Sequence, residues 1–207
     1  MSRTAALQIW SPPELMGRQQ FFAMNTEIQV LTLDWDQGEL LEGAEEVFHG
    51  IEQRFSRFRP SSELSRLNAQ AGEEVAVSPQ MFRLLELSLE FHRRSEGTFD
   101  PAILPSLQTA GYDRSFELVA RESEGPVAEL RRAKGSIEDV RLDRERLTVQ
   151  VPPGVLLDLG GIGKGFAVDE AASVLSPTRD FLIDAGGDIY AAGDGPDGRP
   201  QCIVTIP

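Results

Sequence analysis

The residues best suited to chemistry lie in the run Asp158-Leu-Gly-Gly-Ile-Gly-Lys-Gly-Phe-Ala-Val-Asp169. It reads as the end of an apolar strand, a glycine loop and the start of a helix. Glycines let a backbone approach a ligand closely, and the free amides of a helix N-terminus attract anions such as phosphate. Lys164 adds a full positive charge, and Asp158 can bind a divalent cation or accept from a ligand amide. This is not a Walker A loop, because Lys164 precedes Gly165 rather than Ser or Thr and position 158 is Asp. Nor does the spacing of Gly161, Gly163 and Gly165 fit the dinucleotide fingerprint. The bland alternatives are a tight strand-to-helix connection with an incidental lysine, and a surface or capping aspartate.

Weaker candidates accompany it. Gly97-Thr98-Phe99-Asp100-Pro101 offers a ring able to stack on a flat ligand and a carboxylate able to accept from ligand hydroxyls; by itself it reads more readily as a helix-to-loop junction. Asp184-Ala-Gly-Gly-Asp188 is a glycine turn flanked by acids and passes as a hairpin. Ser56-Arg57-Phe58-Arg59 and Ser61-Ser62-Glu63-Leu64 form a polar break that reads as a solvated turn. His49 and His92 fall inside predicted helices, without metal or triad spacing, and receive no role.

These segments need elements to hold them. Alternation over Glu27–Leu33 predicts a strand led in by Phe21, Phe22 and Met24. A helix follows, with Leu40, Ala44, Val47, Phe48, Ile51 and Phe55 on its buried face. Ser61 or Ser62 caps a short helix carrying Leu64 and Leu67 that stops near Asn68. Ser78 as N-cap, Pro79 at the first position and Gly97 past the end delimit a third helix, with Leu85 and Leu89 inward. The stretch from Thr98 to Pro105 reads as neither helix nor strand, its prolines pushing Asp100 and Leu104 toward extended geometry. A helix is expected around Val127–Arg132. Val140–Leu142 and Leu147–Val151 form a hairpin, and Val155–Leu159 a short strand. Val168, Ala171, Ala172 and Leu175 line a helix ended by Pro177, before three short strands at Phe181–Asp184, Ile189–Ala192 and Cys202–Ile206. Hairpins mixed with separated helices indicate α+β, with antiparallel or mixed sheets and packed helices.

Composition narrows the function. With 207 residues, 41% hydrophobic and 26% charged, the chain is long enough to bury a core. Its net charge of -13 disfavours nucleic acid and anionic membrane surfaces. One cysteine and two histidines exclude a disulfide framework and a Cys/His zinc cage, so a metal would need oxygen ligands. No run is long enough to span a membrane, and the beginning shows neither a signal peptide nor a lipid-attachment cysteine, so the chain as given reads as cytoplasmic.

Taken in order, Met24-Asn25-Thr26, Phe55-Ser-Arg-Phe58, Ser62-Glu-Leu-Ser-Arg-Leu-Asn68, Gly97–Pro101, Asp158–Asp169 and Asp184–Asp188 resemble the FAD:protein FMN transferases, the ApbE family once described as thiamine-biosynthesis lipoproteins. The resemblance runs from about Phe21 to Pro207, with residues 1–20 as a lead-in. It implies an enzyme that uses Mg²⁺ and FAD as substrate, and that leaves FMN esterified to a threonine of a target protein with release of AMP. By position, Met24 and Phe58 match flavin and adenine contacts, with the ring that each meets left open. Thr98, Phe99 and Asp100 match the flavin-binding loop, and Asp158 and Lys164 the cofactor-binding acid and base. Gly161 matches a backbone contact to the metal. Phe58 stands where relatives often carry Tyr, and Asn25 where they commonly carry Gly.

The resemblance assigns no catalytic residue here. It implies as partners FAD and an acceptor protein bearing a threonine-containing motif, and it leaves a homodimer open. Relatives continue past the Gly-Gly-Asp turn, through a His-Ile-Ile-Asp-Pro type motif and then an Asp and a Thr that complete the metal site. The domain over 21–207 is therefore expected to be incomplete at its C-terminal end. Many relatives are exported lipoproteins. The alternatives are an FAD-binding or scavenging protein and a Mg²⁺-dependent FAD pyrophosphatase without protein transfer.

Overall fold

A computed structural model describes residues 17–34, 37–110 and 135–193. The fold is α+β, and the chain divides into two compact units, 1–47 with 168–207 and 48–167. The expected helix around Val127–Arg132 and strand at Cys202–Ile206 lie outside the described residues. Among the described residues, no helix is long and apolar enough to cross a membrane.

In the first unit, β1 (Gly17–Ala23), β2 (Thr26–Thr32), β6 (Phe181–Ala185) and β7 (Asp188–Ala192) form an antiparallel sheet in the order β1-β2-β6-β7. The lead-in to β2 is thus itself a strand, paired from Gly17↔Thr32 to Ala23↔Thr26. Ile28, Val30, Ile183 and Ala185 are buried on one face, as period-two alternation requires. Both hairpins turn at one end of the sheet, since Ile28 pairs with Ala185. Each turn has two residues at positive φ, Met24 (52°) with Asn25 (62°) and Gly186 (63°) with Gly187 (98°), as a type I′ turn demands. Asn tolerates this region well, so replacing the usual glycine by Asn25 leaves the turn intact.

In the second unit, α2 (Glu63–Ala69) is capped by Ser62, whose side chain accepts from the Ser65 N–H. α3 (Pro79–Arg94) is capped by Ser78, accepting from Met81 N–H at 3.1 Å. Between them lies β3 (Glu74–Ala76), a strand too short to show periodicity. It joins β5 (Thr148–Gln150) and β4 (Arg141–Asp143) in a sheet ordered β3-β5-β4, which contains the expected hairpin. α1 (Gly38–Phe55) and α5 (Gly160–Leu175) each divide between the units. The buried stripe of α1 is Leu41, Ala44, Phe48, Ile51 and Phe55; Leu40 and Val47 are only half-buried, one step off the line. On α3 the stripe is Met81, Leu85, Ser88 and His92, with Leu89 half-buried. The Ser88 hydroxyl is accommodated there by donating to Leu84 O at 2.8 Å.

Three expectations are corrected. The stretch after Asp100 is helical, with a 3-10 turn over Pro101–Ile103 and α4 over Leu104–Thr109. Pro101 and Pro105 sit in first turns, where a missing N–H is harmless, so they begin helices rather than break them. Asp100 is extended as expected (φ -140°, ψ 110°), but Leu104 is helical. Val155–Leu159 joins no sheet among the described residues. The Asn68 side chain takes the place of a partner strand, donating to Leu157 O and accepting from Leu157 N–H, both at 2.8 Å. The glycines from Gly160 to Gly165 are the opening turns of α5 rather than a loop before it.

Candidate active site

The second unit gathers most of the residues singled out above. Its centre is the start of α5. Glycines at 160, 161, 163 and 165 are poor helix formers, each costing about 1 kcal/mol relative to Ala. Anchoring at the helix entrance offsets this. Asp158 Oδ1 accepts from Gly160 N–H at 2.8 Å, satisfying a donor the helix leaves unpaired. Asp158 N–H donates to Pro101 O at 2.7 Å, and Asn68 holds the preceding residue. The capping role, the bland alternative for Asp158, is therefore real, and it leaves Oδ2 for other work.

Oδ2 faces Arg57 Nε at 2.5 Å, with the two side chains 14% and 11% exposed. The guanidinium also lies over the Phe58 ring, 4.2 Å from its centroid. Phe58 remains 47% exposed, so a large ring is presented to solvent. Lys164 follows Gly160 by one helical turn and is half-buried.

The loop from Thr98 to Asp100 meets the same helix start. A Cβ at Gly161 would stand 3.3 Å from Phe99 Cε2, so the bare glycine lets the ring edge against α5. Asp100 Oδ1 accepts from Ala102 N–H (2.9 Å) and Ile137 N–H (3.1 Å), tying the loop to the chain beyond it. His92, without a role in the sequence pattern, is buried, its Nδ1 lying 2.8 Å from Phe99 O and 3.7 Å from Asp100 Oδ2. Its position on the α3 stripe, a whole number of turns from Met81 and Leu85, is the signal that could have found it. Arg57 and Asn68 stand in segments that the sequence singles out, but their contacts do not show there because the partners lie far along the chain. Thr98 is exposed at the rim of the loop.

Met24 belongs to the first unit, half-buried in the turn between β1 and β2. Beside that turn, a Cβ at Gly186 would overlap Thr26 Oγ1, so the two hairpin ends are in contact. Asp184 Oδ1 accepts from Gly187 N–H at 2.9 Å within its own turn.

The ApbE family model matches residues 24–206. The chain belongs to the ApbE family. An FAD:protein FMN transferase of Chlamydia muridarum is 32% identical over 168 residues, which cover 78% of this chain and 51% of that one. The FAD:protein FMN transferase of Haemophilus influenzae is 27% identical over 170 residues, 79% of this chain and 49% of that one. This ApbE-family chain thus spans about half the length of the curated relatives it matches. Among solved structures, the flavin transferase ApbE from Vibrio cholerae superposes with a TM-score of 0.79 at 25% identity, covering 91% of this chain and 62% of the other. The ApbE protein of Thermotoga maritima shares the fold, with a TM-score of 0.74 at 23% identity, over 89% of this chain and 60% of that one.

Proposed function

We propose that this ApbE-family chain is the FAD-handling part of a flavin transferase, moving FMN from FAD onto a threonine of an acceptor protein. The observation that carries the reading is the meeting of the Thr98–Asp100 loop with the start of α5, where Phe99 lies against Gly161 and Asp158 is bonded to Pro101 O. In this reading Phe58 and Phe99 offer ring surfaces, while Asp100 and Asp158 offer carboxylate acceptors. Thr98 lines the flavin loop, and Lys164 supplies positive charge for the pyrophosphate. Transfer forms a bond from the threonine Oγ to the FMN phosphorus and breaks the bond from that phosphorus to the bridging oxygen. AMP leaves with that oxygen, and the hydroxyl proton passes to a base or to water.

Mg²⁺ belongs to the same proposal, with a backbone contact at Gly161. When bound, such an ion neutralises charge on phosphate oxygens. Among the described residues no three His, Cys, Asp or Glu side chains come together as a cage, and Asp158 is already bonded to Gly160 N–H and Arg57. These side chains alone therefore do not fit the ion.

The test is incubation of the chain with FAD, Mg²⁺ and a threonine-containing acceptor, followed by mass spectrometry and nucleotide chromatography. An FMN adduct on the acceptor with stoichiometric AMP is expected. Free FMN with AMP would replace transfer by hydrolysis, and bound, unchanged FAD would leave a binding protein.

A further inference from the structure

We infer that Arg57 is a positioning residue for this site: it fixes the Asp158 carboxylate and the Phe58 ring together, and offsets the carboxylate charge so that a pyrophosphate can be received beside it. The inference rests on the flavin-site reading above and adds a residue that reading does not use. Two contacts of one guanidinium carry it. Nε lies 2.5 Å from Asp158 Oδ2 in an ion pair, and Cζ lies over the Phe58 ring, 4.2 Å from its centroid. A planar, delocalised cation can do both at once, whereas an ammonium group can satisfy the carboxylate or cover the ring but does not lock the two in one geometry.

Charge gives the second part. Asp158 carries one negative charge and Arg57 one positive, so the pair is neutral, in a chain whose total is -13. A doubly anionic pyrophosphate approaching a bare carboxylate would be repelled, and the repulsion is strong where both groups are largely withdrawn from water. Asp158 has Oδ1 committed to Gly160 N–H, so Oδ2 decides how the carboxylate faces a ligand, and Arg57 holds Oδ2.

The experiment is titration of the intact chain with FAD and, separately, with riboflavin, which lacks phosphate, following flavin fluorescence. The proteins compared are wild type, Arg57→Lys, Arg57→Met, Asp158→Asn and the Arg57→Met/Asp158→Asn double variant, each with a urea unfolding midpoint. Arg57→Met should weaken FAD about tenfold and Arg57→Lys about threefold, the range of a charge-assisted contact. Riboflavin should lose less than FAD. In the Asp158→Asn background, removing Arg57 should cost about threefold or less, because the carboxylate it positions is gone. An unchanged FAD affinity in Arg57→Met overturns the inference. So does an equal loss in both backgrounds, or a loss in both Arg57 variants that only tracks a fallen urea midpoint. If wild type binds neither flavin, the underlying flavin reading fails and this inference falls with it; if wild type binds and only the Arg57 outcomes fail, the flavin reading stands.

Discussion

The four-residue pattern Asp-x-Gly-Gly occurs at Asp158–Gly161 and again at Asp184–Gly187, and the chain uses it in opposite ways. At 158 the glycines open α5, neither is among the residues at positive φ, and the aspartate accepts from the N–H two residues on. At 184 they form a hairpin turn at φ 63° and 98°, and the aspartate accepts from the N–H three residues on. The residue between, Leu159 or Ala185, is buried in both. What differs is the sequence downstream. After Gly161 the buried residues Phe166, Ala167, Ala171 and Leu175 recur with helical spacing, whereas after Gly187 the run Asp-Ile-Tyr-Ala-Ala pairs back along β6 from Ala185↔Asp188. A glycine pair is thus permission to adopt several conformations, and the apolar pattern beyond it selects one.

The comparison can be broken most sharply at Gly186. Its positive φ and the overlap of any Cβ there with Thr26 Oγ1 leave no room for a side chain. Gly186→Ala should destabilise the protein by about 3 kcal/mol in urea unfolding. A loss below about 1 kcal/mol would mean that Thr26 simply rotates away. The aspartates come next. Asp158→Ala removes a helix cap and strips a largely buried arginine of its carboxylate partner, for about 2 kcal/mol. Asp184→Ala loses one bond in an exposed turn and should cost about 0.5 kcal/mol. Equal costs would erase the distinction drawn between the two patterns. An effect between these two, about 1 kcal/mol, is expected for His92→Leu, which leaves Phe99 O without its ring-nitrogen partner. The accompanying loss of FAD affinity, read by fluorescence, would link the Phe99 loop to the helix start.

Much of this is legible in the sequence because it is local. The Ser62 and Ser78 caps, the Arg141–Gln150 hairpin and the stripe Val168, Ala171, Ala172, Leu175 all follow from residues a few positions apart. The failures share a different cause. Pro101 and Pro105 read as interruptions, although a proline in the first helical turn is favourable, and only the Asp100 cap shows which sense applies. Val155–Leu159 has strand composition, but its bonding comes from the Asn68 amide, a side chain 89 positions away from Leu157. The other site residues emerge through the order of several segments, while the roles of Arg57 and Asn68 stay hidden because one contact with a residue far along the chain leaves no periodic trace.

The one expected effect of opposite sign tests why α5 tolerates its glycines at all. Gly160 and Gly161 have reasons in packing, since a Cβ would meet Asp158 Oδ1 at 2.9 Å and Phe99 Cε2 at 3.3 Å. Gly165 has none: it is exposed, lies inside a helix, and a Cβ there meets nothing within 4 Å. Gly165→Ala should therefore stabilise the protein by about 0.8 kcal/mol, through helix propensity and a less flexible unfolded chain. If stability rises while FAD affinity falls, the glycine is there to let a ligand lie close to the helix, a residue kept at the expense of stability. If both are unchanged or improved, the opening of α5 owes that glycine nothing.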